Sequence, residues 1–129
     1  MEIKDCKLRK VISCDKEENI VNVSKKLRDN KERHIIVTDN EKPIGIISTT
    51  DINNRVVAEN KDIKKTKAGE IMTSPIIIRD INAPLVQTYI DMIKQNTFSC
   101  PITKDNKLIG VLDLKELMNY IVKLKPPKK

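Results

Sequence analysis

The chain has 129 residues, a length that fits one compact domain. Its formal net charge is +7 and only 2% of its residues are aromatic, so we expect an aliphatic core and a surface that attracts phosphates. No apolar run approaches the roughly 18 residues that span a bilayer, and the N-terminus lacks the apolar stretch of a secretory signal. We therefore expect a cytoplasmic protein with no membrane partner.

The three cysteines and the single histidine limit the chemistry that the chain can perform. Cys6, Cys14 and Cys100 are odd in number and show no CxxC spacing, which indicates reduced, structural thiols. No Cys/His cluster has the spacing of a zinc site, and no second histidine exists to build a Cys-His pair with its orienting group. We expect no metal, no cofactor and no catalytic residues, and hence a protein that is not an enzyme.

The first half of the chain is predicted to form a strand, a helix, a hairpin and a second helix. A short apolar run at 10–13 precedes Asp15, which is suited to cap a helix that ends near Asn30. The β-rich runs 34–38 and 44–48 flank a turn and predict the hairpin. The second helix covers about 49–60. The apolar positions expected to face inward on the two helices are Ile20, Val23, Leu27, Ile52, Val56 and Val57.

The second half repeats this order after a polar link at 61–74. The expected elements are a strand at 75–78, a helix at 83–95, a hairpin formed by 99–103 and 108–112, and a closing helix from Leu114 to Leu124. The apolar positions expected on these helices are Leu85, Tyr89, Met92, Ile93, Leu114, Leu117, Met118, Ile121 and Val122. The element order is therefore β-α-β-β-α, twice.

The two halves are copies of one unit. KPIGIISTTDINNRVV (42–57) aligns without gaps with KLIGVLDLKELMNYIV (107–122), 65 positions further on. Two units of this size would each be marginally stable alone, so we expect a shared core. The expected division is a first unit at 1–60, a linker at 61–74, a second unit at 75–124 and a basic tail at 125–129.

The sequence resembles a tandem pair of cystathionine β-synthase (CBS) domains from about Lys10 to Lys123. RHIIVTDNEKPIGIISTTDI resembles the family's hairpin, with Arg-His, an acidic turn and Gly-apolar-apolar-Ser/Thr-x-x-Asp-apolar. AGEIMTSPIII resembles the segment that opens a second copy. The resemblance implies an α/β (α+β) fold of two β-α-β-β-α units, related by a pseudo-twofold axis and packed through their sheets. It also implies a homodimer, since such pairs commonly associate into flat discs.

Three side chains form the leading candidate site, where the second hairpin strand ends and a helix begins. Helix-start amides favour phosphate, and the hydroxyls of Ser48 and Thr50 can add donors. The Asp51 carboxylate can accept both hydroxyls of a ribose cis-diol. The resemblance implies that this Asp binds the ribose of an adenine nucleotide. The same Ser-x-x-Asp pattern also predicts a capping box in which Ser48 and Asp51 only satisfy backbone donors.

The resemblance also implies contributions from outside this segment. Arg33 and His34 are expected to face the nucleotide phosphates, Arg33 through bidentate bonds. The purine is expected to lie against a wall formed by Thr73, Ser74, Pro75, Ile76 and Phe98, although the apolar members also suit the core.

The second copy carries different side chains at the equivalent positions. Asp113 stands where the first copy has Ser48, and it puts a negative charge where phosphate would lie. Glu116 replaces Asp51, and Phe98 and Ser99 replace the basic pair. We therefore expect one competent cleft near Asp51 and one degenerate cleft near Glu116.

The sequence thus predicts an adenine-nucleotide-binding sensor or regulatory module, with AMP, ADP or ATP as ligand and an unidentified protein as its regulated partner. Two alternatives remain. One is a scaffold or dimerisation module with vestigial clefts. The other is a nucleic-acid binder that uses the basic surface, which the scarcity of aromatic residues disfavours.

Overall fold

The computed structural model describes residues 1–124, so the basic tail at 125–129 lies outside the described residues. The chain divides into two compact units. The first unit is Val11–Ile76, and the second unit combines Met1–Lys10 with the chain from Ile77 onward. Among the described residues, no helix has both the length and the apolarity needed to cross a membrane.

The first unit is built on a three-stranded sheet in the order β1-β2-β3. Strand β1 runs parallel to β2, and β2 and β3 form the antiparallel hairpin expected from the sequence. The elements in chain order are β1 (Ser13–Asp15), α1 (Ile20–Asn30), β2 (His34–Asp39), β3 (Lys42–Ser48), α2 (Thr49–Ile52), a π-helical turn (Asn53–Val57) and α3 (Ala68–Ile71).

The second unit repeats this sheet and its helices. Its sheet has the order β4-β5-β6, again with one parallel and one antiparallel pair. Even the irregularity in the hairpin register recurs, between Val37 and Thr38 in one unit and between Ile102 and Thr103 in the other. The elements are a 3₁₀ turn (Ile3–Asp5), β4 (Arg79–Asp80), α4 (Leu85–Lys94), β5 (Ser99–Lys104), β6 (Lys107–Asp113) and α5 (Leu114–Leu124). The mixed α+β fold with a duplicated β-α-β-β-α unit is confirmed.

Each unit has its own aliphatic core between its sheet and helices. The first contains Cys14, Ile20, Val23, Leu27, Ile35, Val37, Ile47, Val56, Ala68 and Ile71. The second contains Ile3, Ile77, Leu85, Met92, Cys100, Ile102, Leu112 and Leu117.

Four residues expected to face inward are instead exposed, namely Val57, Ile93, Met118 and Val122. Three of them directly follow a buried residue, as Val57 follows Val56. One step along a helix turns the side chain by about 100°, so the next position leaves the core. The apolar face that meets the sheet is therefore narrower than the sequence pattern indicated.

The first ten residues pack with the second unit, whereas the sequence grouped them with the first. Backbone amides of Ile3 and Lys4 donate to the carbonyls of Ala83 and Ile81, at 3.0 and 2.8 Å. Later in the chain, Ala68 and Gly69 make the equivalent bonds to Glu18 and Lys16, at 2.8 and 2.9 Å. We call residues 1–10 and 66–76 the leading segments. Residues 1–10 precede the first repeat but pack in the second unit. Residues 66–76 precede the second repeat but pack in the first unit.

The link at 61–74 is more than a polar connection. Ala68 and Ile71 belong to the core of the first unit, and the Thr66 side chain is buried. The sequence did not reveal this role because the four apolar residues of this Lys-rich stretch are too few to form a sustained pattern.

Two element boundaries also differ from the expectation. Asn19 caps α1 by accepting from the Asn22 amide at 2.9 Å, while Asp15 accepts from the Glu17 amide in the preceding turn. The strand expected at 75–78 begins only at Arg79, where β4 pairs with β5.

An ion pair joins β4 to α4 and predicts an acid-sensitive contribution to stability. Arg79 Nη2 lies 3.0 Å from Asp91 Oδ2, and the hydrogen bond from Arg79, assisted by one from Gln87, lowers the pKa of Asp91 below its ordinary value of 3.8. A lowered carboxylate pKa stabilises the folded state above the unfolded-state pKa and stops doing so as pH falls through the folded-state pKa. We expect Asp91→Asn to be less stable than wild type at pH 7 and the difference to diminish as pH falls below the ordinary pKa of 3.8. Urea unfolding across this range measures it, and a pH-independent difference would contradict it.

The second leading segment crosses β3 directly above Gly45. This close crossing predicts that a side chain at Gly45 would destabilise the protein. A Cβ at Gly45 would clash with Met72 Sδ and lie 3.0 Å from the Thr73 carbonyl oxygen. We expect Gly45→Ala to destabilise the protein by about 1–3 kcal/mol in urea unfolding. Val57→Ala, at a site 61% exposed, should change stability by less than about 0.5 kcal/mol. Equal effects of the two substitutions would argue against the close crossing.

Candidate functional site

Three of the predicted site residues meet at the end of the first-unit sheet, where β3 finishes and β2 begins. Ser48, the last residue of β3, stands opposite His34, the first residue of β2. The Thr49 amide donates to the Arg33 carbonyl at 3.0 Å, which closes this end of the hairpin. The strand register therefore brings Arg33, His34 and Ser48 together.

Ser48 and Asp51 form a capping box at the start of α2. Asp51 N donates to Ser48 Oγ at 3.0 Å, and Ser48 N donates to Asp51 Oδ2 at 2.9 Å. The capping role foreseen from the sequence is therefore present. These two hydrogen bonds leave both side chains able to bind a ligand. A carboxylate has about four acceptor positions, and the Ser48 hydroxyl keeps its proton to donate.

The second oxygen of Asp51 faces a cation that the sequence reasoning missed. Arg55 Nη2 lies 3.7 Å from Asp51 Oδ1, and the Asp51 side chain is only 19% exposed. Arg55 Nη1 also donates to the Ile71 carbonyl at 2.7 Å. The i,i+4 spacing of Asp51 and Arg55 was the available signal for this pair.

The second leading segment borders the same end of the sheet. Thr73 and Ile46 exchange two backbone hydrogen bonds, at 3.1 and 2.8 Å, two residues before Ser48. Thr73, Ser74 and Pro75 are exposed, whereas Ile76 is half-buried. The segment 73–76, which carries four residues of the predicted purine wall, therefore begins beside the strand that carries Ser48.

The remaining predicted residues lie elsewhere or contact other groups. Phe98 belongs to the second unit, directly before β5, and its side chain is 73% exposed. Thr50 is an exposed residue of α2. The Arg33 side chain helps to line a groove of about 390 Å³ between the end of α1 and α2. Two more cations, Arg28 and Lys31, line that groove above the apolar Leu27 and Ile52.

The equivalent position in the second unit carries a paired charge. Asp113 Oδ1 accepts from the Lys115 amide at 2.9 Å, and Asp113 Oδ2 lies 3.1 Å from Arg9 Nη1. The sequence comparison treated Asp113 as an unopposed anion. Its partner comes from the first leading segment, distant in sequence, so no local pattern revealed it.

The cysteine thiols are poor nucleophiles. Burial raises the pKa of Cys14 to about 11 and that of Cys100 to about 12. Burial, followed by the nearby Asp5 carboxylate, also raises the pKa of Cys6. Among residues 1–124, no three or more His, Cys, Asp or Glu side chains gather in a geometry suited to a metal ion.

The chain is similar to archaeal proteins whose function is not described. It is 29% identical to an uncharacterized protein of Methanopyrus kandleri over 85% of this chain and 57% of that protein. It is 27% identical to an uncharacterized protein of Methanocaldococcus jannaschii over 91% of this chain and 31% of that protein. The chain thus spans little more than half, or less, of the length of these relatives.

The fold is also found among solved structures. The CBS domain pair of protein MJ0100, solved in complex with 5′-methylthioadenosine and S-adenosyl-L-methionine, superposes with a TM-score of 0.73 at 24% sequence identity. The match covers 97% of this chain and 98% of that one.

Residues 3–58 and 68–123 each match the CBS domain family, in agreement with the duplicated hairpins and the Ser48–Asp51 segment. The chain therefore belongs to the CBS domain family and carries two copies of the domain in tandem.

Proposed function

We propose that this chain is a regulatory module, not an enzyme, and that it binds an adenine nucleotide (AMP, ADP or ATP) at Asp51. The observation that carries the proposal is the placement of the Asp51 carboxylate. It is held from both sides, by the Ser48 amide and the Arg55 guanidinium, and it lies at the end of the sheet to which His34 and Thr73 also belong.

The proposed contacts follow from the chemistry of each group. Asp51 accepts hydrogen bonds from the two ribose hydroxyls, and Ser48 and Thr50 donate to sugar or phosphate oxygens. Arg33 and His34 supply the groups for the phosphates. Thr73, Ser74, Pro75 and Ile76 form the wall for the purine.

The likeness to MJ0100 supports an adenosine ligand, because both compounds in that complex contain an adenosine moiety. The proposal favours phosphates over a sulfonium ligand on the basis of charge. Arg28, Lys31 and Arg33 line a groove beside Thr49, together with one acid, Glu32. Arg28 is paired with Asp29, so the preference rests on Lys31, Arg33 and the net charge of +7 of the whole chain. Cations near the site favour the more anionic ligand.

Regulation would operate through differential binding. A nucleotide that binds one arrangement of the protein more tightly shifts the population toward that arrangement, by no more than its affinity difference. The regulated partner would be a protein that recognises one of the two arrangements. This mechanism requires no catalytic group.

Asp51→Asn tests the ribose contact while keeping an oxygen that can accept from the Ser48 amide. We expect wild type to bind AMP, ADP or ATP in calorimetry, and the variant to bind roughly tenfold to a hundredfold more weakly, since a hydrogen bond to a charged group contributes about 1.5–3 kcal/mol. GTP and S-adenosylmethionine complete the ligand panel.

Glu116→Gln is the matched control, because it makes the same change at the equivalent position of the second copy. We expect it to leave the nucleotide affinity unchanged. Loss of binding in Glu116→Gln but not in Asp51→Asn would show that the site had been assigned to the wrong copy. Lack of binding by wild type at millimolar nucleotide would contradict the proposed function.

We also propose that the chain forms a homodimer through exposed apolar positions on α5. Met118 and Val122 lie one turn apart on this helix and are 44% and 65% exposed. Exposed apolar residues grouped on one helix face are typical of an interaction surface.

Val122→Lys tests the dimer, because a charge buried at the interface would cost far more than it gains. We expect sedimentation equilibrium to show a wild-type dimer and a largely monomeric variant. Asn119→Lys, on the same exposed helix, is the control and should remain dimeric if it lies outside the interface. A monomeric wild type would exclude the dimer. A stable dimer that binds no nucleotide would favour the scaffold function.

A further inference from the structure

Arg55 lies in the centre of the π-helical turn that follows α2. The wider turn is closed by a bond of 2.8 Å from the Ala58 amide to the Asn53 carbonyl. Single π turns inside helices are frequently found at functional sites. From this turn, Arg55 contacts both the Asp51 carboxylate and the Ile71 carbonyl.

The second repeat has a partial equivalent of this arrangement. Tyr120 occupies the place of Arg55, and its hydroxyl donates to the Asp5 carbonyl at 3.1 Å. In both units, therefore, the closing helical segment is tied by one side chain to a carbonyl of the leading segment. Only the arginine carries a positive charge, so only in the first unit does this tie also involve a carboxylate at the candidate site.

The carbonyl that Arg55 holds belongs to a short, well-anchored stretch. The Ile71 side chain is buried in the first core, the Met72 amide donates to Ala68 at 3.1 Å, and the Thr73 amide donates to Ile46 at 2.8 Å. Thr73 is two residues from Ile71 and begins the proposed purine wall. A displacement of Arg55 therefore acts on this wall through three consecutive residues.

We propose that Arg55 is a positioning residue that couples ribose binding at Asp51 to the placement of residues 71–73. This inference rests on the proposed nucleotide function. Arg55 holds the Asp51 carboxylate in the orientation that accepts the ribose diol, and its bond to Ile71 holds the wall in place. Because coupling is reciprocal, ribose bound at Asp51 strengthens the anchoring of residues 71–73, and that anchoring strengthens ribose binding.

Three variants separate the parts of this proposal. Arg55→Met keeps an unbranched apolar stem but removes the charge and the donors, whereas Arg55→Lys keeps a positive charge. Tyr120→Phe is the matched control, since it removes the equivalent tie in the second unit. We expect Arg55→Met to bind AMP at least about fivefold more weakly than wild type. Arg55→Lys should recover part of that loss, and Tyr120→Phe should bind like wild type.

Two readouts distinguish coupling from a general loss of structure. The first is amide hydrogen exchange at Met72 and Thr73, which AMP should slow in wild type and leave unchanged in Arg55→Met. The second is the affinity for 2′,3′-dideoxyadenosine monophosphate, which lacks the diol. Because the coupling passes through the contact between the diol and Asp51, we expect wild type and Arg55→Met to bind this analogue equally weakly.

The outcomes separate this inference from the function on which it rests. If wild type binds AMP, and Arg55→Met binds it equally well with the same slowing of exchange at Thr73, the coupling is overturned and the nucleotide function stands. If Arg55→Met weakens AMP and the dideoxy analogue by the same factor, Arg55 acts independently of the diol and the coupling is again overturned. If wild type binds no adenine nucleotide, the proposed function fails and the coupling fails with it.

Discussion

The backbone pairing between each leading segment and the last strand of a sheet is the constraint on which the rest of the structure depends. Thr73 pairs with Ile46 in the first unit, and Arg9 pairs with Val111 in the second. Both crossings pass over a glycine, Gly45 or Gly110. A Cβ at either glycine would lie 3.0 Å from a carbonyl oxygen of the leading segment, so the missing Cβ leaves room for the crossing. This pairing brings residues distant in sequence to the ends of the two hairpins.

Asp51 shows how a structural role and a binding role can share one side chain. Its capping contact contributes on the order of 1 kcal/mol and occupies one face of the carboxylate. The same contact fixes the orientation of the group, as does Arg55 on the other side. A carboxylate that is already oriented loses little conformational freedom when it accepts a ribose diol. The cap and the proposed site are therefore compatible, and the first supports the second.

The two units share a backbone and differ in side-chain chemistry at this position. In the first unit an acid, Asp51, is held by a cation of the same helical segment, Arg55. In the second unit the acid at the strand end, Asp113, is held by Arg9 of the leading segment. The expected repulsion between Asp113 and phosphate is therefore partly offset. Glu116 stands at the position equivalent to Asp51, with a side chain that is one methylene longer.

The sequence by itself determined the duplication, the two hairpins and part of each aliphatic core. An unbroken offset of 65 positions and the β-rich runs on either side of each turn are local properties, readable without coordinates. The Ser48–Asp51 cap was also readable, because its two residues are three positions apart. The sequence was a poorer guide to which helix residues are exposed, because the apolar run at Val56 and Val57 extends beyond the face that meets the sheet.

Only the tertiary structure decided which unit each leading segment joins and which charges meet. The pairing of Arg9 with Asp113 and the bond from Arg55 to Ile71 connect residues that no short-range pattern relates. Such contacts depend on how whole segments pack. A segment of about ten residues with only four apolar ones has too short a pattern to predict where it packs. The repeat could be predicted because it follows from short-range sequence patterns. The partners of the site residues could not, because they belong to chain segments that are distant in sequence.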